Sequence, residues 1–234
     1  MKRVIIASTS TVHGSSYLEY ILPELHLFFK GIHEIVFIPY ARPSGISYEV
    51  YTKIASKAFA TISIHVKGIH EYENPKEAIK NAKGIFVGGG NTFELVNQLY
   101  KNEVMEVLKS SVDKGTPYLG TSAGSNICGP SMQTTNDMPI VYPSSFKTLE
   151  IIPFNLNPHY LDPDKKSTHK GETRETRIKE FHIYNAIPVL GLREGSWLEV
   201  QGKSIVLKGK LTARLFQQNK KPVELPTGYE LNTI

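Results

Sequence analysis

The sequence predicts one α/β domain over residues 1–234, a three-layer fold with a mostly parallel sheet and helices on both faces. Two observations predict it. Short Val- and Ile-rich runs bounded by Gly, Pro or Ser alternate with amphipathic stretches up to Thr121, and this βαβα order calls for parallel strands joined by helical crossovers. The chain is also 234 residues long and 40% hydrophobic, enough to bury one sizeable core.

Taken in order, residues 3–8, 34–39, 62–66, 84–88 and 117–121 read as strands. Helical patterns fill the gaps at about 16–30, 47–60, 75–82, 91–101 and 103–114. In the first, Leu18, Ile21, Leu22, Leu25 and Phe29 recur at three- and four-residue spacing, one helix face. Pro75 suits a first helical turn, where no amide donor is needed. From Pro130 onward, Pro139, Pro143, Pro153, Pro158 and Pro163 interrupt the chain, so residues 130–170 are expected to be loops with short strands. A helix over about 172–183 follows. The tail reads as strands at 189–192, 197–200, 204–208 and 212–217, with turns at Gly202 and Gly209, a meander at the sheet edge.

Composition excludes several classes of function. The net charge is +5, and the tight basic pairs of the later chain, Lys165-Lys166 and Lys220-Lys221, are not interleaved with aromatics, so nucleic acid is not an expected partner. Cys128 is the only cysteine, which rules out an intrachain disulfide and suits a reducing compartment. The apolar run after Lys2-Arg3 is too short for a signal peptide, and no run approaches the roughly 18 apolar residues of a membrane span. A cytoplasmic protein with no membrane partner is expected. There is no H-E-x-x-H, cysteine cluster or acidic calcium loop, so no metal or other cofactor is expected.

Chemistry concentrates at Gly120-Thr121-Ser122-Ala123-Gly124, a G-x-S-x-G sequence between a strand and small residues able to open a helix. Such a turn needs glycine on either side, lifts the Ser122 hydroxyl above the sheet edge and readies the Ala123 amide for an oxyanion. An ordinary Gly/Ser turn is the bland alternative. Val87-Gly88-Gly89-Gly90-Asn91-Thr92 likewise leaves a strand and opens a helix. Its amides suit an anion, either a nucleotide phosphate or the second half of an oxyanion hole. It lacks the Lys-Ser/Thr of a P-loop and the spacing of G-x-G-x-x-G, which favours the oxyanion reading for Gly89 and Gly90, while Asn91 caps the helix.

A serine nucleophile needs a base. Of eight histidines, His26 and His65 lie inside a helix and a strand, His33 and His70 at element ends, and His169 in a Lys-flanked loop where it reads as solvated. His159, after the apolar run ending in Asn157-Pro158, is the candidate base. Two acids could orient it: Glu194, after the predicted 189–192 strand, and Asp137, in a Pro-flanked loop where a turn hydrogen bond is its bland role. Cys128 reads as a small buried residue.

These residues resemble the serine-peptidase family that contains peptidase E, an α-aspartyl dipeptidase, and cyanophycinase. The resemblance covers nearly the whole chain and rests on Val36–Pro39, Gly88-Gly89-Gly90-Asn91-Thr92-Phe93, Ser122-Ala123-Gly124, Thr134-Thr135-Asn136-Asp137-Met138-Pro139, Asn157-Pro158-His159, His169-Lys170-Gly171-Glu172-Thr173-Arg174 and Gly191-Leu192-Arg193-Glu194-Gly195-Ser196-Trp197. The residues before Ser122 and the length of the loop from His159 to His169 depart from the family pattern. The resemblance implies a class I glutamine amidotransferase-like, flavodoxin-like fold with serine as nucleophile. It implies Ser122 as nucleophile, His159 as base, Glu194 as its orienting acid and Asp137 as a further catalytic acid. It implies release of N-terminal aspartate from Asp-X dipeptides through an acyl-enzyme, without metal or cofactor. Apart from the resemblance, a homodimer is the assembly to look for. Arg174, in the matched Gly171–Arg174 stretch, is the candidate ligand for the substrate's side-chain carboxylate, with Asn91 as a second substrate contact. An amidotransferase-like hydrolase of another amide or ester and a non-catalytic binding domain are the alternatives.

Overall fold

The computed structural model describes residues 1–163, 166, 168 and 171–232; Lys165, His169 and Lys170 of the stretches above lie outside them. In chain order the elements are β1 (Arg3–Ala7), α1 (Leu22–Phe28), β2 (Glu34–Ile38), α2 (Tyr48–Ala60), β3 (His65–Gly68), α3 (Pro75–Asn81), β4 (Ile85–Val87), α4 (Thr92–Lys101), α5 (Met105–Asp113), β5 (Tyr118–Thr121), α6 (Ala123–Asn126), β6 (Asn155–Pro158), α7 (Arg174–Tyr184), β7 (Val189–Leu192), β8 (Ser196–Gln201), β9 (Ser204–Gly209), β10 (Ala213–Phe216) and β11 (Val223–Leu225).

The main sheet runs β3-β2-β4-β5-β1-β8-β9. Its first five strands are parallel, β8 pairs antiparallel with β1, and β9 pairs antiparallel with β8. Period-two alternation divides its side chains between two faces. Ile5, Ala7, Ile35, Phe37, Phe86 and Leu119 pack against α1 and α2. Val4, Ile6, Val36, Ile38, Ile85, Val87 and Tyr118 pack against α3 to α6 and the inner face of a second sheet. Side chains at helix starts fix where the crossovers begin: Ser47, Asn74, Asn91 and Thr173 each accept a backbone N–H three residues on.

The second sheet, ordered β11-β10-β7-β6, corrects the expected edge meander. β7 does not precede β8 in one sheet. It pairs in parallel with β6 and antiparallel with β10. The four-residue turn Arg193-Glu194-Gly195-Ser196, closed by the Ser196 amide on the Arg193 carbonyl at 3.1 Å, carries the chain between sheets, and Gly195 supplies the positive φ of 86° that it requires. Only the β8–β9 hairpin lies at the main sheet's edge. α7 covers the other face of the second sheet through Ile178 and Phe181 against Tyr160, Val189 and Phe216.

Two predicted boundaries also shift. Pro23 cannot donate a helical hydrogen bond, and the α-helix begins at Leu22, after a 3₁₀ turn at Glu19–Ile21. Residues 62–64 are not strand. They belong to the turn that ends α2, where Ser63 takes a positive φ of 61° and the Ile64 amide donates to the Phe59 carbonyl at 3.1 Å, a Schellman closure.

Candidate active site

β5 ends at Thr121 and α6 begins at Ala123, leaving Ser122 alone to turn the chain at φ 54° and ψ −111°. The flanking glycines permit it. A Cβ on Gly120 would stand 2.4 Å from the Gly124 carbonyl oxygen, and one on Gly124 would stand 2.2 Å from the Val87 carbonyl oxygen. Backbone therefore fills the space a side chain would need. The Ser122 amide donates to the Ala7 carbonyl of β1 at 3.2 Å, and its carbonyl accepts from the Asn126 amide at 2.9 Å.

His159 and Glu194 follow β6 and β7, which run side by side with Pro158 opposite Leu192. His159 Nε2 lies 2.8 Å from Ser122 Oγ, and Nδ1 lies 2.6 Å from Glu194 Oε1. The hydroxyl thus comes from the main sheet, and the imidazole and carboxylate from the second. Ser8, fully buried at the end of β1, joins them. Its hydroxyl donates to the Leu192 carbonyl at 2.7 Å and accepts the His159 amide at 2.9 Å, holding His159 at a positive φ of 54°. Beside Glu194, Arg193 pairs with Asp162 at 2.8 Å and Glu224 at 3.0 Å, which raises its pKa above the usual guanidinium value. Burial raises the Tyr20 phenol, with the Glu194 charge adding to it.

Asp137 does not reach the imidazole. Its Oδ2 accepts the Thr92 amide at 2.7 Å, the Thr92 hydroxyl at 2.7 Å and the Thr135 hydroxyl at 3.0 Å, so it closes the positive end of α4. Asn91 is engaged on both sides. Its Oδ1 caps the Glu94 amide at 3.1 Å and its Nδ2 donates to the Met138 carbonyl at 2.9 Å. Asn91 thus caps α4 and pins the 134–138 loop to its start. Asn157 and Asn136 complete the bracing: Asn157 Nδ2 on β6 donates to the Thr134 carbonyl of the loop at 2.8 Å, and Asn136 Nδ2 of the loop donates to the Pro158 carbonyl of β6 at 2.7 Å.

The glycine loop lies against the serine: a Cβ on Gly89 would be 2.8 Å from Ser122 Cβ. The Gly89 amide is not open for an oxyanion, however, because it donates to the Tyr51 hydroxyl at 2.9 Å. The Gly90 and Ala123 amides carry no partner among the described residues. Gly90 holds a φ of 146°, and a Cβ there would stand 2.2 Å from the Ala41 carbonyl oxygen. Arg174 opens α7 and has neither ion pair nor side-chain hydrogen bond among the described residues. Partial burial and the charge of Arg177 lower its pKa, against the pull of Asp137.

Sequence reasoning missed Ser8 and Tyr51. Ser8 had a signal, a small polar residue where β1 reaches the carboxyl edge of the sheet. Tyr51 had none, since it reads as one more apolar position on the buried face of α2. Among the described residues, no group of His, Cys, Asp and Glu side chains is arranged to hold a metal ion. No helix among them is long and apolar enough to cross a membrane.

The comparisons with known proteins agree on a family. The model of peptidase family S51 matches residues 4–208. A Streptomyces coelicolor protein named peptidase E is 47% identical over 99% of this chain and 94% of its own length. A Drosophila melanogaster protein named "Probable alpha-aspartyl dipeptidase" is 41% identical over 96% and 93%. A crystal structure of a peptidase from an acI-B1 Actinobacterium superposes with a TM-score of 0.71 over 99% of this chain and 96% of that one, at 14% identity, which speaks to the fold. The chain belongs to peptidase family S51 and is a serine-type peptidase.

Proposed function

We propose that this protein is a cytoplasmic serine dipeptidase that removes N-terminal aspartate from Asp-X dipeptides, with Ser122 as nucleophile, His159 as base and Glu194 as the acid that orients it. The observation that carries the reading is the continuous hydrogen-bonded line from Ser122 Oγ through the imidazole to Glu194 Oε1, at 2.8 and 2.6 Å. With Nδ1–H donated to Glu194, Nε2 is left as the acceptor for the serine proton. Ser122 Oγ attacks the scissile carbonyl while Nε2 takes its proton. The oxyanion is held by the Gly90 and Ala123 amides, the donors left open once Gly89 is engaged by Tyr51. Collapse of the tetrahedral species breaks the C–N bond, and the imidazolium protonates the departing amine. Water, deprotonated by the same nitrogen, then hydrolyses the aspartyl ester and frees Ser122.

The name of the Drosophila melanogaster relative, "Probable alpha-aspartyl dipeptidase", supports aspartate as the leading residue. A bound aspartate side chain needs a cation to offset its desolvation. Arg174 is that cation in this reading: it is charged, partly buried, unpaired among the described residues and within the field of Asp137. Asp137 acts by ordering the 134–138 loop rather than as a second triad acid. The test is steady-state hydrolysis of an X-Leu dipeptide panel by wild type and Arg174→Ala. Asp-Leu is expected to be the best substrate, with Asn-Leu far behind because it leaves the guanidinium unpaired, and Arg174→Ala is expected to collapse that preference. An unchanged Asp-over-Asn ratio in the variant would remove Arg174 from the selector role, and poor turnover of Asp-Leu by the wild type would overturn the substrate assignment.

A further inference from the structure

The chain has six arginines. Arg177, Arg193 and Arg214 pair with carboxylates, and Arg3 donates to the Phe28 carbonyl. Arg42 and Arg174 alone have no ion pair or side-chain hydrogen bond among the described residues. Arg42 is nevertheless held in place. Its guanidinium carbon stands 4.8 Å from the centre of the Tyr51 ring, and its Nε is buried without a partner. A guanidinium left this way lacks an anion, because a buried donor without an acceptor is destabilising. The carboxylates that share its cleft do not supply one. Glu94 accepts from Gln98 Nε2 at 2.8 Å, and Glu49 faces His70 at 3.9 Å.

The position of Arg42 gives the missing anion an address. It lies just beyond β2 on the carboxyl edge of the sheet, next in sequence to Ala41, whose carbonyl takes the Asn91 amide at 2.8 Å. The ring it stacks on carries the hydroxyl that binds the Gly89 amide at 2.9 Å. A Cβ on that glycine would stand 3.3 Å from Ser122 Oγ. The Tyr17 phenol, which donates to the Tyr51 hydroxyl at 3.3 Å, is raised by burial and by Tyr51 and feels the opposing pull of Arg42. β2 and β5 are separated by β4 alone, about 10 Å between strand axes. A long arginine side chain and one residue of peptide, at most about 3.6 Å, can close that gap.

We propose that Arg42 binds the C-terminal carboxylate of a dipeptide substrate, one residue beyond the carbonyl that Ser122 attacks. The inference rests on the dipeptidase reading above and extends it. An Asp-X dipeptide brings two carboxylates, and the carboxyl edge of the sheet and the start of α7 offer two unpaired arginines. Arg174 takes the side chain and Arg42 the terminus. Arg42 thereby measures substrate length, because a third residue would carry the carboxylate past it and leave the guanidinium without a partner.

The experiment compares kcat/KM for Asp-Leu and Asp-Leu-amide, which differ only in the terminal charge, in wild type, Arg42→Gln and Arg42→Lys. A hydrogen-bonded charge pair is worth about 10–100-fold in binding. Wild type is expected to prefer the acid by that factor. Arg42→Gln is expected to abolish the preference by slowing Asp-Leu alone, and Arg42→Lys, which keeps charge without the planar fork, to fall between them. Equal use of acid and amide by wild type, or equal loss of both in Arg42→Gln, would overturn the role of Arg42 while leaving the dipeptidase reading intact. If Arg42→Gln does not fold, the wild-type ratio and Arg42→Lys still decide. Failure of wild type to release aspartate from either substrate would instead overturn the dipeptidase reading, and the inference with it.

Discussion

At Ser122 the backbone is held at φ 54° and ψ −111°, a conformation that disfavours a side chain by about 1–3 kcal/mol. The strain presents the hydroxyl to His159. It predicts that Ser122→Ala and Ser122→Gly are equally inactive but differ in stability. Glycine relieves the strain, offset in part by its greater freedom in the unfolded chain, so Ser122→Gly should be more stable than Ser122→Ala by about 1 kcal/mol in urea denaturation. Equal midpoints would show that the turn stores no strain. Tyr51 is the second residue to test. Tyr51→Phe keeps the ring but removes the acceptor for the Gly89 amide, leaving a buried donor unpaired at about 1–3 kcal/mol. The glycine loop then loses its anchor beside Ser122, and kcat should fall with little change in KM; unchanged kcat would make Tyr51 a packing residue only. Ser122 was legible in the sequence because its requirements are local: two glycines, a strand before and small residues after. His159 was legible only as the best of eight histidines, because what selects it, the parallel pairing of β6 with β7, joins segments far apart in the chain.

Among the elements, the start of α4 and the 134–138 loop act as one unit. Asp137 accepts the Thr92 amide and hydroxyl, and Asn91 holds Met138. Asp137→Ala should lower stability by about 1–2 kcal/mol through loss of a charged cap and lower activity through the loop. Glu194→Gln should leave stability nearly unchanged and lower kcat by misorienting the imidazole. If Asp137→Ala matched Glu194→Gln in kcat with no loss of stability, the division between the two acids would reverse. The sequence set Glu194 after a strand-like run and Asp137 in a Pro-flanked loop, but which of them meets the imidazole depends on segments far apart in the chain. Element boundaries failed where a helix end resembles a strand: Ile62 and Ile64 alternate like strand residues but close the Schellman turn of α2.

For the molecule as a whole, two sheets meet at one site. Their separation was not legible, because the tail from Val189 onward reads as consecutive short strands whichever sheet each joins. Beside the site, Arg193, just after β7, ties Asp162, Glu224 of β11 and Thr212, just before β10, into one cluster. The hydrogen bond from Arg193 holds the Asp162 carboxyl below its usual pKa. Burial alone would raise Glu224, but Arg193 and Thr212 outweigh it and lower it too. Both carboxyls are depressed in the folded state, so their contribution is complete above the ordinary carboxylate range and is lost as pH falls below about 4. Thermal melts should therefore show Arg193→Leu destabilised at pH 7 and closer to wild type near pH 3; a constant difference across that range would remove the cluster from the acid response.

Ser122, His159 and Glu194 come from three chain segments and two sheets, and their joint action hinges on the serine hydroxyl. The deciding measurement is aspartate release from Asp-Leu by purified Ser122→Ala, beside wild type, with folding checked by the thermal melt. Loss of a serine nucleophile lowers kcat by about 10⁶, so release by the variant should fall to the uncatalysed background while its melt stays cooperative. Turnover within tenfold of wild type would contradict the assignment of Ser122 as nucleophile, and with it the reading of the line from Ser122 to Glu194 as catalytic machinery.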